Sequence, residues 1–267
     1  MNKFLFIISF LFFTQLNAVE FKGKFIQGHF IIGKTNPNTK IIIDKKKVKV
    51  SKDGYFAFGI EKDRKLDIVI KEGNKTIIKK IQKRKYKVQK IEGLPKKKVT
   101  PPEEFYARIK KENKLIGKAR EIDSDLSFFK DKFIIPVDDA IITGVYGSQR
   151  ILNGIPKWPH YGLDFAQKKG TPIRAMNNGV VTLAEKDLFY TGATLIFDHG
   201  HGISTLYMHM HEIFVNVGDH VKKGDIVATI GTSGRSTGPH LDIRLNWFGA
   251  RLDPATILNI QQWEKRS

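Results

Sequence analysis

The 267-residue chain contains no cysteine. Disulfides, thiolate metal sites, a cysteine nucleophile and a lipid-bearing N-terminal cysteine are therefore excluded, and any bound metal must be held by nitrogen and oxygen. Acidic residues are scarce in the first third. Residues 19–100 carry 24 Lys/Arg against 8 Asp/Glu, whereas residues 101–267 are nearly neutral, so most of the net charge of +19 belongs to an N-terminal module. Long apolar runs are also missing, apart from one at the N-terminus. Hydrophobic residues at 41% with 27% charged residues describe a globular chain rather than a disordered one.

The one apolar run is almost unbroken Phe, Leu and Ile over 4–13. It follows the basic Met1-Asn2-Lys3 and leads to Gln15-Leu16-Asn17-Ala18. This pattern predicts a secretory signal peptide over 1–18, with an uncleaved anchor as the alternative; the run is too short for a stable membrane span. In an exported chain of this charge the lysines of the N-terminal module form either a solvated outer face or a face for an acidic wall polymer or anionic lipid surface, and nucleic acid is not expected as a partner.

The N-terminal module reads as strands over 25–32, 40–50, 55–60, 65–70 and 75–82, broken at Asn36-Pro37-Asn38, Asp53-Gly54 and Gly73-Asn74. Alternation such as Val48-Lys49-Val50 places apolar groups on one face and lysines on the other. A small antiparallel β-sandwich over 19–93 is predicted. A Pro/Lys-rich linker follows, and Thr100 is expected to cap a bridging helix that runs to about Ile122, within a 94–132 connecting segment. From 133 to 260 the pattern is glycine-punctuated β-structure, with strands expected over 140–146, 179–184, 194–198, 204–208, 226–230 and 240–245. Since no long amphipathic helix interrupts them, a mainly β, antiparallel domain is expected.

Seven of the eight histidines lie between His160 and His240. His160 and Asp164 are separated by four, and His240 and Asp242 by two, spacings that project to one face of an extended chain. Imidazole and carboxylate together suit zinc. The competing reading of the second pair is an ion pair between Asp242 and Arg244. Tyr207-Met208-His209 ends an expected strand, where a neutral imidazole can take a proton from water or stabilise an oxyanion. His199 and His201 read as turn residues, and surface or turn roles are expected for them and for His29, His211 and His220.

These blocks together resemble the lysostaphin/LytM-type zinc metallopeptidases that cleave peptidoglycan. The resemblance is carried by Tyr146-Gly147-Ser148-Gln149-Arg150, His160 through Asp164, Asn178-Gly179-Val180-Val181, Asp198-His199-Gly200, Tyr207-Met208-His209, Val217-Gly218-Asp219 and Ser236-Thr237-Gly238-Pro239-His240-Leu241, in family order over about two-fifths of the chain. It implies a compact antiparallel β domain with a narrow groove and Zn²⁺ at its floor. His160 and Asp164 would be the first two ligands, and His209 and His240 the two catalytic histidines that do not bind metal. The family's third ligand is the second histidine of an H-x-H motif, and Asp242 stands there instead. Two carboxylates would cancel the formal charge of Zn²⁺ and weaken its effect on bound water. The resemblance implies a periplasmic endopeptidase acting on D-Ala–diaminopimelate cross-links of peptidoglycan. The alternative is a non-catalytic LytM-like regulator of another wall hydrolase.

Overall fold

The computed structural model describes residues 19–258; the expected signal peptide lies outside the described residues. Among the described residues, no helix is long and apolar enough to cross a membrane.

Seven short strands build the N-terminal module: β1 (Glu20–Lys22), β2 (Phe30–Lys34), β3 (Ile41–Ile43), β4 (Lys46–Val48), β5 (Tyr55–Gly59), β6 (Ile68–Glu72) and β7 (Lys75–Lys79). They form two antiparallel sheets, in the orders β1-β2-β5 and β4-β3-β6-β7. Ile31, Ile41, Phe56, Phe58 and Ile70 are buried in one cluster, while the consecutive Lys45, Lys46 and Lys47 face solvent. The single strand expected over 40–50 is instead the β3–β4 hairpin. Asp44 sits at its turn with φ 55°, a backbone state that aspartate tolerates better than most residues.

The connection between modules departs from expectation. A one-turn helix α1 (Lys96–Val99) precedes Thr100, which ends it rather than capping a new helix. Thr100 is extended, φ −130° and ψ 90°, because a residue before proline is driven out of the helical region and Pro101-Pro102 cannot donate backbone hydrogen bonds. Helix α2 (Tyr106–Arg120) therefore starts only after the prolines and a single 3-10 turn at Glu103–Phe105. A strand absent from the sequence reading, β8 (Val88–Ile91), lies just before α1.

The C-terminal part contains β9 (Ile141–Gly144), β10 (Gln149–Leu152), β11 (Ile155–Pro156), β12 (Leu163–Ala166), β13 (Pro172–Arg174), β14 (Gly179–Leu188), β15 (Gly192–Asp198), β16 (Ile203–Ile213), β17 (His220–Val221), β18 (Ile226–Ile230), β19 (His240–Trp247) and β20 (Ala250–Leu252). The main path of its large sheet is β17-β14-β15-β16-β19-β12-β9, antiparallel throughout. Its core gathers Phe165, Leu195, Phe197, Tyr207, Met210, Ile230, Leu241 and Ile243.

The two modules share apolar surface. Phe129, Ile203, Leu245 and Leu252 pack with Phe30 and Ala57 in one buried cluster, and Arg84 bonds the buried Asp253 at 2.6 Å. In addition, β8 pairs in parallel with β10 beside the groove, so the chain before the linker contributes a strand to the site-bearing half. Helix α2 lies on the other side: Glu112 accepts from the Phe189 backbone N–H at 2.7 Å, and Ala119 is buried with Leu183, Leu188 and Ile196.

Candidate metal centre and groove

Strands β12 and β19 pair so that Asp164 stands directly opposite Asp242, which turns both carboxylates to the same face. His160 lies ahead of β12 and is placed by backbone bonds rather than by strand alternation. Its N–H donates to Ser148 O at 2.8 Å, and its carbonyl accepts from Gly147 N at 2.6 Å. His160 Nε2 then lies 3.0 Å from Asp164 Oδ1 and 3.3 Å from Asp242 Oδ2. One ligand atom from each of the three residues falls within 4.8 Å of the others, and all three side chains are buried.

Several observations test whether this trio suits a cation. Asp164 Oδ1 and Asp242 Oδ1 are buried with no hydrogen-bond partner. The close His160–Asp164 approach is thus an ion-pair distance without hydrogen-bond alignment, as expected where lone pairs converge on a common point rather than on each other. Two glycines leave the room. A Cβ at Gly144 would collide with the Asp164 carboxylate, and one at Gly162 with Asp242 Oδ1. One nitrogen and two carboxylate oxygens form a legitimate donor set for zinc. The residues fit the metal.

Charge at the site is set by neighbours. Burial alone would disfavour an imidazolium at His160, but Asp164 and Asp242 outweigh it and hold its pKa above the ordinary value. Burial likewise opposes the carboxylates, yet His160 holds Asp164 below the usual range, while Arg244 and then His160 hold Asp242 there. Arg150 bonds Asp164 at 3.1 Å and Arg244 bonds Asp242 at 3.3 Å. The Asp242–Arg244 pair posed as an alternative to ligation is therefore present, but it engages only Oδ2 and leaves Oδ1 without a partner.

His209 reaches the site through a defect in β16. Met208 is the register partner of Asp242 and shares its face, so simple alternation would send His209 to the opposite side. The register against β15 shifts here, with Tyr207 opposite Leu195 but Met210 opposite Ala193, and His209 adopts φ 65°. This bulge re-aims its side chain. The ring stops 4.9 Å from that of His240, centroid to centroid. His209 Nδ1–H donates to the Ser233 carbonyl at 2.8 Å, and His240 Nδ1–H to the Gly238 carbonyl at 2.9 Å, so each ring keeps Nε2 as an acceptor. Burial, seconded by His240, pushes His209 down to about 4.

A family assignment follows from this arrangement together with the sequence blocks. Residues 158–254 match the model of peptidase family M23. The M23 domain is 36% identical over 98 residues to a protein named DD-carboxypeptidase/endopeptidase Mpg of Neisseria meningitidis, covering 37% of this chain and 22% of that protein. It is 38% identical over 87 residues to the peptidoglycan DD-endopeptidase ShyA of Vibrio cholerae, covering 33% of this chain and 20% of that one. The match thus spans about a fifth of these relatives. A crystal structure of an M23-type chain from Pseudomonas aeruginosa superposes with TM-score 0.63 and 25% identity over 88% of this chain and 95% of that one, so the likeness of fold extends through the N-terminal module.

Two arms of a groove meet at the M23 site. One, about 310 Å³, runs past Leu94, Leu152, Ser236 and His240; the other, about 630 Å³, lies between α2 and β19. Arg150, His209 and Arg235 border both. The sequence reading missed Gly144, Gly162 and Ser233 as supports and gave Arg150 no role, although Arg150 sits in the quoted Tyr146 to Arg150 block. His199 and His201 do occupy the β15–β16 turn, but they are buried rather than on the surface. His199 is held between the Asn178 carbonyl and the Thr205 hydroxyl, each at 2.8 Å, and burial pushes it down to about 4. His211 and His220 are exposed.

Proposed function

We propose that the chain is an exported, zinc-dependent endopeptidase that hydrolyses peptide cross-links of peptidoglycan, with D-Ala–diaminopimelate bonds in the periplasm as its target. The observation that carries this reading is the buried convergence of His160, Asp164 and Asp242 beside two imidazoles with free Nε2 acceptors. The relatives' names support the substrate class.

His160, Asp164 and Asp242 would hold the ion. When bound there, Zn²⁺ supplies Lewis acidity, polarising the scissile carbonyl and acidifying the attacking water. One imidazole of the His209/His240 pair accepts the water's proton at Nε2. Burial and the neighbouring His240 ring, 4.9 Å away, both disfavour a charge on His209, which suits it to a neutral acceptor role. The same proton then passes to the leaving amine, and the second ring orients the reacting oxygen. The Ser233 and Gly238 carbonyls fix both tautomers and leave the rings no freedom to turn their acceptors away. Arg150 and Arg244 each offset part of one carboxylate's charge, so two aspartate ligands blunt the metal less than their formal charges imply.

The second reading, a non-catalytic wall-hydrolase regulator, is favoured by the Asp242–Arg244 contact. Digestion of purified sacculi with residues 19–267, with and without chelator, separates the two. Chelator-sensitive loss of cross-linked dimers upholds the endopeptidase. Intact sacculi with metal-free protein uphold the regulator.

A further inference from the structure

The two arms of the groove differ in charge. The smaller arm is walled by Ile91, Leu94 and Leu152 with hydroxyls from Ser236 and Thr237, and its charged groups are Asp164 and the shared Arg150 and Arg235. The larger arm presents Arg120 from α2, Arg244 from β19, Arg251 from β20 and Lys157, and Asp242 is the only carboxylate on its wall. Among the described residues, Arg120, Arg251 and Lys157 form no ion pair.

Arg120 and Arg251 are held in place without an ion-pair partner among the described residues, while Arg244 meets Asp242 at 3.3 Å. Arg120 donates to the Phe248 and Gly249 carbonyls at 3.0 and 2.8 Å, and its Nε is buried without a partner. Arg244 Nε is also buried and unpartnered. The Arg251 guanidinium lies 4.5 Å from the Tyr161 ring centroid. Burial pulls Arg120 down to about 10, and Arg251 and Arg244 push the same way; Arg251 is lowered by burial and by Arg244. Asp242 offsets part of the Arg244 charge only, so the cavity stays net positive and an anion would relieve the confinement of Arg120 and Arg251.

We propose that this arm is a carboxylate-reading subsite, in which Arg120, Arg244 and Arg251 receive a free carboxylate of a peptide whose scissile bond lies at His160, Asp164 and Asp242. The proposal rests on the reading of the site as peptide-cleaving and assigns its substrate polarity: the acidic flank enters the α2 side and the uncharged flank the β8 side. Guanidinium groups suit the planar carboxylate because they offer paired donors in a fixed fork. The carboxylate is either the C-terminus of a linear peptide or a side-chain carboxylate beside a cross-link.

Two peptide pairs distinguish these sources: a linear pentapeptide with a C-terminal acid or amide, and a cross-linked dimer with the flanking side-chain carboxylate free or amidated. Each carries an N-methylated scissile bond, and binding to the metal-loaded chain 19–267 is measured by calorimetry. In one of the pairs the acid is expected to bind about tenfold or more tightly than the amide. Arg251→Gln and Arg120→Gln should shrink that preference to within about twofold while leaving amide affinity unchanged. The responding pair names the source. Equal affinities for acid and amide in both pairs, or variants that weaken both forms alike, overturn the subsite. If Arg120→Gln does not fold, Arg251→Gln and Lys157→Ala carry the test. Unmethylated peptides separate this from the parent reading. Acid preference without any cleavage keeps the subsite and sinks the peptidase, whereas equal cleavage of acid and amide does the reverse.

Discussion

Asp164 and Asp242 oppose each other at one register position of the antiparallel β12–β19 pair, with His160 Nε2 lying 3.0 and 3.3 Å from their oxygens. Like charges directly opposite across strands destabilise a sheet. This pair persists because each carboxylate has an arginine on its outer side and a shared positive centre within reach, either a protonated imidazole or a metal ion.

Asp242→Asn should cost more metal affinity than the roughly 10–100-fold typical of losing an outer-sphere partner. Asp242→His, which recreates the histidine of the related motif, should retain the metal. Competition with a chromophoric chelator measures both. An asparagine variant that keeps its metal would show that Asp242 serves only Arg244.

Gly144→Ala probes the room around the site, because the atoms nearest its Cβ would belong to the Asp164 and His160 side chains. Metal affinity should fall by about tenfold or more, with a stability cost of about 1–3 kcal/mol from overpacking. Metal content and chemical denaturation read the two effects separately. Unchanged affinity would mean that the carboxylate can move aside and still bind.

Arg150→Gln removes one of two cationic neighbours of Asp164, which is only 8% exposed, and leaves His160 as the other. Breaking a buried pair of this kind typically costs about 3–5 kcal/mol. The partial exposure of Arg150 points to the lower end, and the loss should be largest in metal-free protein. Denaturation with and without zinc checks this; an equal loss in both states would refute the electrostatic role.

Metal-free protein should have a distinctive pH profile. The raised pKa of His160 contributes stability that is complete below about 6.5 and is lost as pH rises through the folded-state value. The lowered pKa values of Asp164 and Asp242 contribute stability present above about 3.9 and lost as pH falls through their folded values. The site's contribution is therefore greatest between these limits. Since zinc replaces the His160 proton, the zinc-induced rise in Tm should grow from pH 6 to pH 8.5. A rise independent of pH would contradict this linkage.

The buried cluster joining Phe129, Ile203, Leu245 and Leu252 to Phe30 and Ala57 should make the two modules unfold together. Calorimetry is expected to give one transition, and Phe129→Ala should lower stability by about 3–5 kcal/mol. Two resolved transitions in the parent protein would show that this shared core couples the modules weakly.

The β-rich runs of the N-terminal module, the glycine-punctuated strands and the five polar residues at the site were all legible in the sequence, because β-branched composition, turn residues and short ligand spacings are local properties. Tertiary structure alone decided the rest. His209 points into the groove only because of a bulge with φ 65°, which no alternation rule anticipates. His160 is aimed by bonds to Gly147 and Ser148, and its distance to Asp242 comes from strand register across 82 residues of sequence. The arginines behave in the same way. Charge counts place the excess of lysine in the N-terminal module, yet the packing of α2 against the M23 domain is what gathers Arg120, Arg244 and Arg251 around one cavity. Residue chemistry and local period are written along the chain, whereas convergence of distant side chains depends on which strands pair and where their register breaks.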